Sequence, residues 1–162
     1  MANRFFVGMG GGAAEPAWLC RVEPFLAAAM RELRFDGEAL SVVFCGDDFI
    51  RSLNRRYRGI DAPTDVLSFE DGAEEYEEDG TALKSMGDIL ISLDTLPGNA
   101  AYFGVDADEE LKRLLVHGIL HLNGMDHGEE HVEPGTAPVC AMLCLQEVTL
   151  QKLNDYTIIW NK

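Results

Sequence analysis

The chain has 162 residues, of which 47% are hydrophobic and 25% charged, a composition typical of one soluble globular domain. Its 28 acidic and 13 basic residues give a net charge of −15, which argues against a polybasic coat protein or membrane-surface binder. No apolar run is long enough to span a bilayer, and the glycine-interrupted start is too weak for a secretory signal. The four cysteines form no CxxC pair. We therefore expect a single cytoplasmic domain over residues 1–162.

The hydrophobic pattern predicts helices alternating with strands along the chain. Pro16 is typical of a helix start, and Pro24 either bends the first helix or marks a break in it. The predicted elements, in chain order, are a helix over 16–35, a strand over 39–45, a helix from Asp47 or Asp48 to Gly59, strands over 65–69 and 88–93, a helix edge after Pro97, a helix over 109–122, and a last helix from Pro138 to about Leu153. This order indicates an α/β (α+β) fold, expected to be a single small mixed β-sheet packed with helices.

The segment between the two later strands, residues 70–80, is strongly acidic and contains seven Asp and Glu side chains. Their spacing does not match a calcium-binding loop. Like charges at this density repel one another and favour an extended, solvated chain. We therefore expect an acidic flexible loop here, and much of the negative charge would then lie away from the working surface.

All four histidines lie within one short stretch of the sequence. His117 and His121 are four residues apart, so their rings lie on one face of a helix. Gly124 follows where a helix often ends in the left-handed conformation, and the turn can return His127 to the other two. The spacing therefore predicts three converging imidazoles, on a central helix and the turn after it.

Three converging imidazoles indicate a metal site, and their nitrogens suit zinc, copper, iron or nickel. Three protein ligands leave a fourth position open, which is typical of a catalytic rather than a structural zinc. His131 lies among Glu129, Glu130 and Glu133, so we expect a solvated neighbour rather than a fourth ligand. The alternative for the whole group is a set of ordinary helix-end and surface histidines.

The spacing HxxxHxxGxxH is also that of metzincin proteases, which carry Glu directly after the first histidine. Here Gly118 occupies that position and cannot accept a proton from a metal-bound water. Peptide hydrolysis by that route is therefore disfavoured. No other residue stands out as a general base.

Four of the 13 basic residues fall within one predicted helix. Arg51, Arg55 and Arg58 share the face opposite its apolar stripe, and Arg56 lies close by. Guanidinium groups grip phosphate through paired hydrogen bonds and stabilise charge that develops on it. The alternative is that these arginines only form a solvated helix face. This interpretation is least favoured for Arg58, which lies beside the helix-ending Gly59.

Three blocks of the sequence resemble one known family. HGILHLNGMDH, residues 117–127, is similar to the signature HGxLHLxGYDH of the YbeY family, and LNRRYRGIDAPTDVLSF, residues 53–69, resembles its LNxxYRxxDxPTDVLSF. MGDILIS, residues 86–92, is similar to its GDIxIS strand. Two positions depart from the pattern, Met125 in place of Tyr and Glu70 in place of Pro, and neither removes a matched histidine or arginine.

The resemblance implies a metal-dependent endoribonuclease directed at single-stranded RNA in precursor small-subunit ribosomal RNA maturation and ribosome quality control. It implies one zinc ion per chain on His117, His121 and His127, with Arg58 and His117 as catalytic residues. The implied partners are RNA and the small ribosomal subunit or its assembly factors, with no membrane and no DNA.

Further residues are weaker candidates for binding substrate or supporting the site. Asp126 either orients a ligand imidazole or caps the turn, and Asp88 either points toward the site or merely begins its strand. Arg55 and Arg51 either contact RNA or are ordinary solvated side chains. Thr64 and Asp65 fit turn bonding, and only the resemblance raises them above that.

Two other functions remain open from the sequence. The first is a metal-dependent hydrolase of peptides or small molecules. The second is a non-catalytic ribosome-assembly factor, whose metal is structural and whose arginines hold RNA.

Overall fold

The computed structural model describes residues 2–160, in which one five-stranded sheet is packed with helices on both faces. The elements in chain order are β1 Arg4–Met9, α1 Val22–Glu32, β2 Glu38–Cys45, α2 Asp47–Arg58, β3 Val66–Glu70, β4 Glu74–Tyr76, β5 Ala82–Ser92, α3 Leu96–Phe103, α4 Ala107–Leu122 and α5 Ala141–Lys152. The strand order is β1-β2-β5-β3, and β4 pairs with the other end of β5. Strands β1, β2 and β5 are parallel, whereas β3 and β4 run antiparallel to β5, so the mixed sheet is confirmed.

Helix α4 is the central helix of the fold and brings the histidines to the sheet. Its Asp106 cap accepts a hydrogen bond from the Glu109 N–H at 2.9 Å, and nearly the whole helix is buried against β3, β5 and α5. Gly118 allows close contact with β5, because a Cβ at that position would lie 2.7 Å from Cδ1 of Ile89. No helix among the described residues is both long and apolar enough to cross a membrane.

The amino-terminal region differs most from the prediction. The helix expected over 16–35 begins only at Val22, after a single 3-10 turn at Leu19–Arg21. Pro24 lies in its first turn, where a missing N–H costs no hydrogen bond, so it begins the helix instead of bending it. Strand β1 was not predicted, since it is a short segment that gains its hydrogen bonds by pairing with β2.

Strand β5 is longer than predicted and begins at Ala82 rather than at Asp88. Gly87 has φ +127° at a register shift in the strand, and a Cβ there would lie 2.0 Å from the Phe69 carbonyl oxygen. The additional half of β5 pairs with β4. Part of the acidic segment is therefore a strand, because Glu74–Tyr76 finds backbone partners, while the flexibility of the segment stays a prediction.

The last helix begins at Ala141, three residues after the expected Pro138. The carboxylate of Glu130 accepts hydrogen bonds from the backbone N–H groups of Val139 and Cys140, at 2.7 and 2.8 Å. It thereby binds the otherwise unpaired donors at the start of α5. These bonds hold α5 against the segment that follows the histidine turn.

Candidate metal centre and its cleft

Three histidines meet at the carboxyl end of α4. His117 and His121 extend from successive turns of the helix, and Gly124 with φ +81° ends it as predicted. The chain then turns back and places His127 beside them. The ring centroids lie 4.6 Å apart for His117 and His121 and 5.3 Å for each pair with His127.

The geometry and chemistry of this cluster fit a metal ion. One potential ligand atom from each ring lies within 4.8 Å of the other two. Nδ1 of His127 is buried without a hydrogen-bond partner in the described structure, a costly state for a polar atom unless something binds it. Zinc and similar ions bind imidazole nitrogens that have no other partner. His117, His121 and His127 can therefore hold one metal ion.

Gln146 on α5 holds the ring of His117. Its Oε1 lies 2.7 Å from Nδ1 of His117, and its Nε2 donates to Oε1 of Glu147 at 3.3 Å. Since that amide oxygen can only accept, Nδ1 carries the proton and Nε2 of His117 keeps its lone pair for a ligand. The sequence does not indicate this contact, because it depends on how α5 packs beside α4.

Burial keeps the imidazoles neutral, the form that binds a metal. It lowers the pKa of His117 to about 4, against the opposing effect of the hydrogen bond that His117 donates to Gln146. Burial also lowers the pKa of His121, with a further contribution from the neighbouring His127. At neutral pH these rings therefore need not lose a proton before they accept a metal.

The cluster forms one wall of a cleft of about 560 Å³ between β3, α4, α5 and the segment after the histidine turn. Arg58 projects from the end of α2 into this cleft, and its Nη2 donates to the Ser68 carbonyl at 3.5 Å. Its charge contributes to the lowered pKa of His121, so the cation lies near the histidines. The cleft thus combines a candidate metal centre with an exposed guanidinium.

Comparisons with known proteins identify the family. The family model described as Endoribonuclease YbeY matches residues 14–153. The chain belongs to the YbeY endoribonuclease family. Membership confirms the resemblance of the three sequence blocks and, with it, the expected activity class of an RNA-cleaving hydrolase.

Named YbeY relatives and a solved structure agree over most of the chain. The Endoribonuclease YbeY of Treponema denticola is 47% identical over 147 residues, covering 91% of this chain and 89% of its own. That of Aquifex aeolicus is 45% identical over 113 residues, covering 68% and 72%. The solution structure of TM1509 from Thermotoga maritima superimposes with a TM-score of 0.57 at 28% identity, covering 93% of this chain and 88% of that one.

The packing of α4 also explains why this YbeY chain lacks the protease base. Gly118 stands where a metzincin carries Glu, and the space a side chain would need is filled by Ile89 of β5. A carboxylate there would require Ile89 to repack, because three atoms of its side chain lie within 3.1 Å of the added Cβ. The packing therefore disfavours a base at this position.

Several of the weaker candidates lie outside the residues that line the cleft. Arg51 forms an exposed ion pair with Asp61 at 2.9 Å, and Arg55 lies on the same exposed surface. Asp88 is exposed on β5, and Asp126 accepts a hydrogen bond from the Gly128 N–H at 3.0 Å, as expected of a residue that caps the turn.

The other cleft residues include a carboxylate expected from the resemblance and an ion pair that the sequence did not indicate. Asp65 accepts hydrogen bonds from the Asn99 amide and from its neighbour Thr64, at 2.9 and 3.3 Å. Glu110 is buried and binds Arg113 through two hydrogen bonds of 3.1 and 3.0 Å. Burial raises the pKa of Glu110 despite this partner. In the sequence, Glu110 and Arg113 are three residues apart on α4, a spacing that is typical of an ordinary surface ion pair.

The fourth histidine lies beside the cluster without joining it. The ring centroid of His131 is 5.2 Å from that of His127, and the side chain reaches the cleft from an exposed position. Within residues 2–160, the group whose ligand atoms converge contains only the three predicted histidines.

Proposed function

We propose that this chain is a zinc-dependent endoribonuclease that cleaves single-stranded regions of precursor small-subunit ribosomal RNA in the cytoplasm. The observation that carries the proposal is the three-histidine cluster, with its unpartnered nitrogen, facing Arg58 across one cleft. One zinc ion per chain on His117, His121 and His127 fits the neutral donor set. The proposed partners are the RNA and the small ribosomal subunit or its assembly factors, without DNA or membrane.

A zinc ion at these histidines supplies Lewis acidity and a bound water of lowered pKa. The chain's own contribution begins with His117, whose contact with Gln146 fixes which nitrogen faces the centre. His117 is therefore proposed as a catalytic residue, because it would hold the metal ion. The protein thus provides a site in which the three rings already lie together.

Arg58 is the residue proposed to bind the scissile phosphate. Its hydrogen bond to the Ser68 carbonyl is long at 3.5 Å, and within the described residues no carboxylate forms an ion pair with it. The guanidinium is therefore free to donate to a phosphate oxygen and to stabilise charge that develops there. Arg113 is less suited, since two of its donors already bind Glu110.

RNA must approach this chain against its overall charge of −15. Attraction by local arginines is screened by salt, so binding through one face should weaken steeply as salt rises. Single-stranded RNA can bend into a cleft and present one phosphate, which a rigid duplex cannot do as readily.

The test compares Arg58→Ala with Arg51→Ala on the same helix. Purified protein is analysed for metal content and incubated with a precursor ribosomal RNA fragment, a DNA of the same sequence and casein. We expect about one zinc per chain and cleavage of RNA alone. Arg58→Ala should lose at least about a hundredfold in cleavage rate, while the ion-paired Arg51 should be dispensable.

The competing functions give different results in the same experiment. Casein cleavage without RNA cleavage would indicate a hydrolase of another substrate. Unchanged RNA cleavage by folded Arg58→Ala and His117→Ala proteins would indicate a contaminating nuclease, and RNA binding without cleavage would indicate an assembly factor.

A further inference from the structure

The carboxyl end of α2 presents an aromatic ring at the edge of the cleft. Tyr57 is 59% exposed, although its ring packs edge-on against Phe69 of β3 with centroids 5.4 Å apart. The contact fixes the ring without covering it. An exposed aromatic side chain held in one orientation loses little entropy when a flat partner stacks on it.

Two arginines adjoin this ring. The Arg56 guanidinium lies over it, 5.3 Å from the centroid, and Arg58 follows it in the sequence. Within the part of the chain that the structure describes, Arg51 is the one arginine of α2 in an ion pair. In a protein of net charge −15, this helix end is therefore a local surface that complements phosphate.

The ring and the cleft are joined through β3. Arg58 contacts the carbonyl of Ser68, which lines the cleft, whereas Tyr57 packs on the next residue, Phe69. Strand β3 lies at the edge of the sheet, so no further strand separates α2 from the cleft. Tyr57 packs on the face of β3 opposite the cleft, so a strand of RNA whose phosphate is held by Arg58 can reach it by passing around this edge.

We propose that Tyr57 is a stacking platform for the RNA base next to the phosphate held by Arg58, with Arg56 binding the next phosphate along the strand. The proposal rests on the proposed function and names the surface that selects single strands. A base in a duplex is already stacked on both sides, whereas an unpaired base is free to stack on an aromatic ring.

Tyr102 provides a matched control. It is 60% exposed, and its ring also packs edge-on against a phenylalanine, Phe103, with centroids 5.0 Å apart. Its hydroxyl donates to the carboxylate of Glu133, and it lies on α3, away from the arginine-rich end of α2. Replacing Tyr102 with alanine should remove a comparable ring without weakening RNA binding.

The experiment measures binding of a short single-stranded RNA with 2′-O-methyl riboses and phosphorothioate linkages, which resist cleavage, by fluorescence anisotropy. Tyr57→Ala should weaken binding about tenfold, whereas Tyr57→Phe and Tyr102→Ala should leave it unchanged. Tyr57→Leu, which keeps an apolar contact with Phe69, should bind as weakly as Tyr57→Ala. In cleavage of unmodified RNA, KM should rise while kcat changes little.

A series of RNAs with one abasic nucleotide identifies the stacked base. One position should weaken wild-type binding about tenfold and have no further effect on Tyr57→Ala, because the two changes remove the same contact. Equal binding by wild type and Tyr57→Ala, equal losses from Tyr57→Ala and Tyr102→Ala, or additive losses at every position would overturn the proposal.

The outcome separates this proposal from the proposed function. If the wild type cleaves RNA and Tyr57→Ala binds and cleaves equally well, the platform is wrong and the endoribonuclease stands. If no protein cleaves RNA but binding depends on Tyr57 as described, the platform stands and the endoribonuclease is wrong.

Discussion

Both ends of helix α4 carry buried polar groups, but the two ends differ in how those groups are hydrogen-bonded. At the amino end, Asp108 and Lys112 are buried and bonded to fixed partners. At the carboxyl end, the histidine cluster leaves Nδ1 of His127 buried and without a described partner. Satisfied polar groups hold a fold together, whereas an unsatisfied one marks where a ligand is needed.

The amino end of α4 binds the end of the chain. Oδ1 of Asp108 accepts hydrogen bonds from the backbone N–H groups of Ile158 and Ile159, at 2.7 and 2.8 Å. Lys112 donates to the Tyr156 carbonyl at 2.9 Å and pairs with Asp108 at 3.4 Å. These contacts are structural, because each partner is a backbone group or the other charge of the pair.

The largest expected effect is at the carboxyl end. His121→Ala should reduce metal affinity at least about a thousandfold, since even losing a hydrogen-bond partner of a ligand costs 10- to 100-fold. Elemental analysis should find almost no metal in the variant, and RNA cleavage should disappear with it. The fold should survive, which circular dichroism checks. Full metal content in this variant would disprove the three-histidine site.

A substitution at the amino end of α4 should instead change the stability of the protein. Asp108→Ala leaves Lys112 buried without its partner and should lower the free energy of unfolding by about 3 kcal/mol. Urea denaturation measures this, and Asp108→Asn, which keeps an acceptor for the two backbone N–H groups, should lose less. Metal content per folded molecule should not change. A variant with normal stability and reduced metal content would remove the distinction between the two ends.

The pH dependence of the metal-free protein sharpens the comparison. Because burial depresses the pKa of His117 to about 4, the unfolded chain takes up a proton below about pH 6.5 that the folded chain refuses. This contribution to stability is therefore present above pH 6.5 and is lost as the pH falls toward 4, by about 3 kcal/mol. The difference in unfolding free energy between wild type and His117→Gln, measured across this range, isolates the contribution. A difference independent of pH would contradict it.

The smallest effect concerns the partner of His117. Gln146→Leu fills a similar buried volume but leaves Nδ1 without an acceptor, and should weaken metal binding about tenfold. Gln146→Glu keeps an acceptor and should bind metal nearly as well as the wild type. Chelator competition measures both. Equal losses in the two variants would show that packing, rather than the hydrogen bond, makes Gln146 important.

The histidine cluster could be predicted because the geometry that joins its three residues is local. Two histidines one helical turn apart and a glycine-ended turn determine most of the cluster, and residues 117–127 contain all of it. The α/β class followed equally from local patterns. The acidic composition also predicts that RNA binding depends on a few arginines, and this stays a prediction.

The parts that the sequence could not show depend on contacts between distant segments. Strand β1 is stabilised by β2, and the role of Gln146 exists only because α5 packs beside α4. The pairing of Glu110 with Arg113 resembled an ordinary surface pair until the fold buried it. Spacing along one element predicts what lies on that element, but not which other element covers it.

The bonds of Glu130 to the start of α5 have a consequence for how this protein can vary. They hold the two ends of the segment 131–138 together. This segment follows the histidine turn and leads to α5, the helix that carries Gln146. Residues 134–137 of this segment are exposed and do not line the cleft, unlike His131 and Val132. Insertions or deletions there would be absorbed in solvent, with neither the histidine cluster nor Gln146 displaced. This stretch can therefore vary in length while the site stays the same.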